Sequence, residues 1–159
     1  MTLPLRGTHG YTFVELLIVV MLLSILAGAA MPLVRVSVRR QKEAELRHAL
    51  REVRTAIDRY KDASDRGMIG GTNQRLGSEG YPPDLKTLVE GVEVTGDASG
   101  RKLKFLRRVP VDPIMNSTDW GLRSYQDEPD AMSWGGQNVY DIYSKASGRG
   151  LDGIPYRQW

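Results

Sequence analysis

Nineteen consecutive residues, Leu16 to Val34, carry no charge, and only Ser24, Gly28 and Pro32 interrupt their bulky apolar and alanine positions. As a helix rising ~1.5 Å per residue, the run spans roughly 28 Å, close to the hydrocarbon thickness of a bilayer. Just ahead stands Gly10-Tyr11-Thr12-Phe13-Val14-Glu15, in which a short polar leader ends in glycine and a single acid follows the aromatic Tyr11 by four residues. Behind the run, Leu46, Leu50, Val53, Ile57 and Tyr60 recur at alternating spacings of four and three residues, the period of one helical stripe. The pattern therefore predicts one helix over 11–64, roughly 80 Å if straight, with its first half uniformly apolar and its second half amphipathic. Glu43 and Arg47 form an i, i+4 pair in the favourable order. Pro32 lacks a backbone donor and Gly28 precedes it by one turn, so a bend or local melting is expected near 28–32.

The remainder reads as a small mixed domain. Residues 64–80 are rich in Ser, Gly and Asn and form a long loop. Tyr81-Pro82-Pro83, with apolar Leu85, Leu88 and Val89, predicts a short helix with a defined start. Gly91 to Gly100 is a second loop with a hairpin edge at Val92–Thr95, and Phe105 to Pro113 is rich in turns. Leu122–Gln126 and Asn138–Ser144 alternate as strands. An antiparallel sheet of two to four strands laid against the long helix buries both apolar faces, which makes the fold α+β. The division expected is 1–10 as a leader, 11–34 as a membrane or filament-core helix, 35–64 as an amphipathic stalk and 65–159 as a head domain.

Composition narrows the functions. A chain of 159 residues has room for one membrane segment and one small domain. The net charge of +3 falls to +2 once Arg6 leaves with the leader, too small an excess to argue for nucleic acid despite a pI near 9.3. There is no cysteine, so no disulfide staples the head. Beyond residue 10, His48 is the sole histidine, and zinc sites or nucleophile–histidine dyads lack parts. Gly148-Arg149-Gly150-Leu151-Asp152-Gly153 fits G-x-G-x-x-G, but six residues remain after it, too few for a phosphate-binding helix, so it reads as a turn. Asn116-Ser117-Thr118 likewise reads as a turn. No enzymatic activity is expected. Glu15, a carboxylate at the mouth of an apolar run, must find a cation or take up a proton, which marks it as functional. A conventional secretory signal cut after Ala27-Gly28-Ala29 is the competing reading. Glu15 would interrupt such a signal, and the apolar run continues past the site. Arg35, Arg39, Arg40 and Lys42 follow the span while only Arg6 precedes it, so the positive-inside rule by itself would put the C-terminal side in the cytoplasm.

Gly10, Tyr11-Thr12-Phe13-Val14-Glu15-Leu16-Leu17 and the span behind them resemble the class III signal of bacterial type IV pilins and type II secretion pseudopilins, with Tyr11 where phenylalanine is usual. In the head, Tyr81-Pro82-Pro83, Leu106 to Pro113, Tyr140 to Ser144 and Asp152-Gly153 are most similar to the major, G-type pseudopilin, and the lack of cysteine leans the same way. The resemblance implies a pilin-like fold and cleavage between Gly10 and Tyr11 by prepilin peptidase, with methylation of the new Tyr11 amine. It implies assembly through Glu15 facing the amine of a neighbouring subunit, and Pro32 falls where pilin helices often carry a proline. It also implies a single-pass protein of the bacterial inner membrane with a periplasmic head. Its partners would be further copies in a homopolymer, minor pseudopilins, an inner-membrane assembly platform and membrane lipid, with no nucleic acid. Major pseudopilins typically bind calcium in an acidic C-terminal loop. Asp152 occupies a comparable place, with Asp119, Asp127 and Asp130 as helpers, although the acid-rich tail is missing. The alternative within the resemblance is a type IV pilin for adhesion, motility or DNA uptake.

Overall fold

The computed structural model describes residues 10–69, 77–97 and 99–159, with the side chains of 29–33 set aside. Most of the leader expected over 1–10 and the middle of the 64–80 loop lie outside the described residues. The order is α1 (Phe13–Asp65), α2 (Leu85–Glu90), β1 (Val92–Glu93), β2 (Lys102–Leu103), β3 (Gly121–Arg123), β4 (Asp141–Tyr143) and a final 3-10 turn at Tyr156–Gln158. The fold is α+β, a long N-terminal helix packed on small antiparallel ladders. The chain divides into two compact units, Met1–Arg39 and Arg40–Trp159, and each is taken by itself.

In the first unit α1 is helical throughout, including 28–32, so the local melting expected there does not occur. The side chain of Pro32 lies outside the described residues. Ser24, the polar residue of the apolar run, returns its hydroxyl to the carbonyl of Val20 at 2.8 Å. That bond within the same helix removes the cost of an unpaired hydroxyl in apolar surroundings.

In the second unit the sequence stripe is the core. Leu46, Val53 and Ile57 are fully buried, and Leu50 and Tyr60 nearly so. Ala49, Ala56 and Ala63 are buried beside them and let the head approach the helix backbone closely. Leu88, Val92, Leu106, Trp120, Val139, Ile142 and Tyr156 close over this face. Each large aliphatic side chain so buried contributes about 1.5–3 kcal/mol of transfer free energy.

Helix α2 begins because Asp84 caps it, accepting the Thr87 N–H at 2.7 Å and the Thr87 hydroxyl at 2.8 Å. Its buried Leu88 offers its carbonyl to the N–H groups of both Phe105 and Leu106, fixing the turn-rich segment against it. The strands form two separate two-stranded antiparallel ladders rather than one sheet. β1 pairs with β2 (Val92↔Leu103, Glu93↔Lys102), a partner too short and too polar for alternation to reveal. β3 pairs with β4 (Gly121↔Tyr143, Leu122↔Ile142, Arg123↔Asp141); β4 lies inside the expected Asn138–Ser144, β3 begins one residue before the expected Leu122–Gln126, and both are shorter than expected. Gly121 is needed there because the Tyr143 ring lies across it, where any Cβ would overlap the ring.

Candidate functional site

The amino-terminal site is built by the way α1 starts. Gly10, Tyr11 and Thr12 precede the helix and are exposed, Tyr11 at 82%. Thr12 is the cap. Its carbonyl accepts the first helical N–H from Leu16 at 3.1 Å, and its hydroxyl accepts the N–H of Glu15 at 3.2 Å. Thr12-Phe13-Val14-Glu15 is thus an S/T-x-x-E capping sequence, a signal present in the sequence that the reading by resemblance passes over. It places Glu15 in the first turn, where the partial positive charge of the helix end favours an acid. Among the described residues no side chain pairs with the Glu15 carboxylate. The peptide bond between Gly10 and Tyr11 lies outside the helix in exposed backbone. A Cβ added at Gly10 meets nothing within 4 Å, so nothing described in this chain demands glycine there.

Behind this start, the apolar side chains from Phe13 to Leu26 are 48–78% exposed all the way round the helix. A helix apolar on every side is at equilibrium only in lipid or among other apolar helices. The family model of the prokaryotic N-terminal methylation motif matches residues 5–31. The chain carries this methylation motif. Nothing among curated proteins and nothing among solved structures matches the chain. The motif supports a pilin-like family, and it implies processing by prepilin peptidase and polymerisation into a filament. It also suggests anchoring in a membrane. Among the described residues no helix is long and apolar enough to cross one. The unbroken described part of the uncharged run reaches from Leu16 to Gly28, ~20 Å of helix, and Val34 is described again beyond 29–33.

The motif says nothing of the head, whose polar contacts have a plan of their own. Three residues of α1 hold the segment from β4 onward. Glu43, itself buried, accepts the Leu151 N–H at 3.0 Å and the Tyr156 hydroxyl at 2.9 Å. Arg47 pairs with Asp152 at 2.6 Å and lays its guanidinium 4.3 Å from the centre of the Trp159 ring. Arg54 donates to Asp141 at 2.7 Å and to the carbonyls of Ile142 at 3.2 Å and Trp159 at 2.7 Å. Glu43 and Arg47, an i, i+4 pair by sequence, thus each also reach a partner more than a hundred residues away. The Gly148–Gly153 stretch is a turn. At Gly150 the Trp159 ring sits where a Cβ would be.

The head motifs that carry the resemblance converge. Val139 donates to the Pro82 carbonyl at 2.8 Å. Asp112 is buried and accepts three hydrogen bonds, from the N–H of Ile114 at 2.8 Å, the N–H of Met115 at 3.1 Å and the Ser144 hydroxyl at 2.5 Å.

The residues around Asp152 do not fit calcium, which wants about six to eight oxygen ligands. One Asp152 oxygen is held by Arg47 at 2.6 Å and the other by the Ile154 N–H at 3.0 Å. Asp119 pairs with Lys145, and among the described residues no three His, Cys, Asp or Glu side chains gather as a cation site. Asp127 instead closes its own loop. Backbone N–H groups of Ser124 at 2.7 Å and Gly135 at 3.1 Å hold its pKa below the ordinary carboxylate value. A depressed folded-state pKa contributes stability that is present above the unfolded value, near ~3.9, and lost as pH falls through the folded one. Thermal melting followed by circular dichroism should therefore show a drop in Tm on acidification below about pH 4. Asp127→Asn should lower Tm at neutral pH and flatten that acid drop, and an unchanged acid profile in the variant would show that Asp127 does not contribute.

Proposed function

We propose that this chain is a structural subunit of a type II secretion pseudopilus. It is cut between Gly10 and Tyr11, methylated on the Tyr11 amine and polymerised through its apolar helix. The observation that carries the reading is the capped, exposed start of α1: an accessible Gly10–Tyr11 bond, then Glu15, unpaired among the described residues, at the positive end of a helix apolar on every side. Cleavage would leave an amine on Tyr11, four residues before that acid. In a bundle of such helices each Glu15 finds its cation on the amine of the next copy, and Pro32 lies within the part of the helix that enters the bundle. Residues 11–34 form the membrane or filament-core segment, 35–64 the stalk and 65–159 the head. The protein spans the bacterial inner membrane once with the head in the periplasm, and it works with minor pseudopilins and an assembly platform. A head closed without cysteine and the convergence of the Tyr81–Pro83, Leu106–Pro113 and Tyr140–Ser144 segments favour the pseudopilus over a surface pilus.

Mass spectrometry of the protein purified from producing cells tests the processing step. The mature chain is expected to begin at methylated Tyr11. Gly10→Val is expected to leave Met1 in place and the head fold unaltered, since no described neighbour constrains residue 10. A wild-type chain that functions with Met1 attached would end this reading. Deleting the gene should abolish export of secreted proteins without removing long surface fibres, and the reverse outcome would identify a type IV pilin.

A further inference from the structure

Two adjoining clefts of about 640 and 370 Å³ run along the side of α1 in the second unit and share Arg59 and Phe105 as lining. Arg51 and Arg59 come from the helix, Arg66 from the residue just past its end, and Lys104 and Arg107 from the segment after β2. All five are exposed, and none has an ion-pair partner among the described residues. Arg51 to Arg59 covers ~12 Å of helix axis, and Arg66 follows the last helical residue. Phe105 lies amid these cations, half-buried with its ring 5.2 Å from that of Tyr60. Glu52 and Asp62 also line the groove, which leaves the cations in excess by five to two. The motif and the fold account for none of these charges.

The same chain exposes a complementary feature. Asp127-Glu128-Pro129-Asp130 puts three acids into four residues, a density no other stretch of the sequence reaches. Asp127 is used within its loop, but Glu128 and Asp130 are exposed, pair with nothing among the described residues and flank an exposed proline. Acid-proline-acid matches cation-aromatic-cation. Arginine forks bind carboxylates in two-point fashion, and a proline ring packs on an aromatic face. Within one chain the two features do not meet, because no residue of 127–130 lines the groove.

We propose that the basic groove around Phe105 receives the Asp127–Asp130 loop of a second copy of this chain. Two different surfaces then join head to tail, the kind of contact that propagates a helical polymer when its rotation does not close into a ring. The proposal rests on the filament-subunit reading and adds to it the surface through which neighbouring heads recognise each other.

The test uses the full-length chain in producing cells, with sheared polymers quantified by sedimentation. Arg59→Glu with Arg107→Glu, and separately Glu128→Lys with Asp130→Lys, should each lower polymer yield by at least about tenfold, because like charges then face each other. Combining all four should restore most of the yield. Arg59→Cys with Asp130→Cys introduces the only thiols in the chain, so copper phenanthroline should give a ladder of linked multimers that neither single variant forms. This crosslink also serves if a reversed variant folds poorly. Wild-type polymers with undiminished assembly of the groove-reversed variant, or no crosslinked ladder, would overturn the docking and leave the filament reading standing. A wild-type chain that forms no polymer would remove both. If the reversed groove polymerises normally but loses binding to a single-stranded oligonucleotide, the occupant is a nucleic acid and the contact between copies is wrong.

Discussion

Glu15→Gln is expected to cut the polymer recovered from cells by at least about tenfold while leaving the chain inserted and processed. Glutamine keeps the size and the helical start but cannot attract an amine. At ~4 Å and an effective dielectric near 20, two unit charges attract by about 4 kcal/mol, and even 1.4 kcal/mol of that is tenfold in an equilibrium. The Thr12 cap does not depend on the Glu15 side chain, because its hydroxyl accepts the Glu15 backbone N–H. Helix content should therefore be unchanged by circular dichroism. Glu15→Asp, a shorter acid, should recover part of the yield. Full assembly of the glutamine variant would refute the charge pairing.

Asp112→Ala should be the most damaging single change in the head. It removes the acceptor of three hydrogen bonds at a fully buried point and strands the Ser144 hydroxyl with two backbone N–H groups. Each stranded donor costs about 1–3 kcal/mol, less where the loop can relax to water, so a loss of about 3–4 kcal/mol is expected. For a head of this size that lowers Tm by roughly 10–15 °C. Asp112→Asn keeps one acceptor oxygen and should cost about half as much. Thermal melts of both variants beside the wild type decide it, and equal Tm values for alanine and asparagine would mean that the bonds to the carboxylate are not what holds the turn.

The helical parts were legible because their signals are local. Leu46, Leu50, Val53, Ile57 and Tyr60 repeat within fifteen residues, and every one is buried. α2 and the β3–β4 pair follow from proline placement and alternation for the same reason. The second ladder was half seen. Val92 looks like an edge, but Lys102-Leu103 offers no period to detect. The hold of Glu43, Arg47 and Arg54 on the segment from β4 onward was hidden, since partners separated by 87 to 113 residues leave no pattern. In the sequence Arg51 and Arg59 are only two charges on an expected helix face, and Arg66 falls in the expected 64–80 loop. Only the arrival of Lys104, Phe105 and Arg107 beside them turns that face into a groove. At the amino terminus, by contrast, glycine, cap, acid and apolar run are consecutive, and nearly all of that site could be read directly.

The long reach of Glu43 and Arg54 also bears on timing. Stalk residues emerge early from the ribosome, yet what they hold, between residues 141 and 159, emerges 87 to 113 positions later. Domains dominated by such distant pairings close slowly, and only after both ends exist. Until then the helix displays its buried stripe without a cover. A head built this way cannot set into its final shape until its last residues have been made.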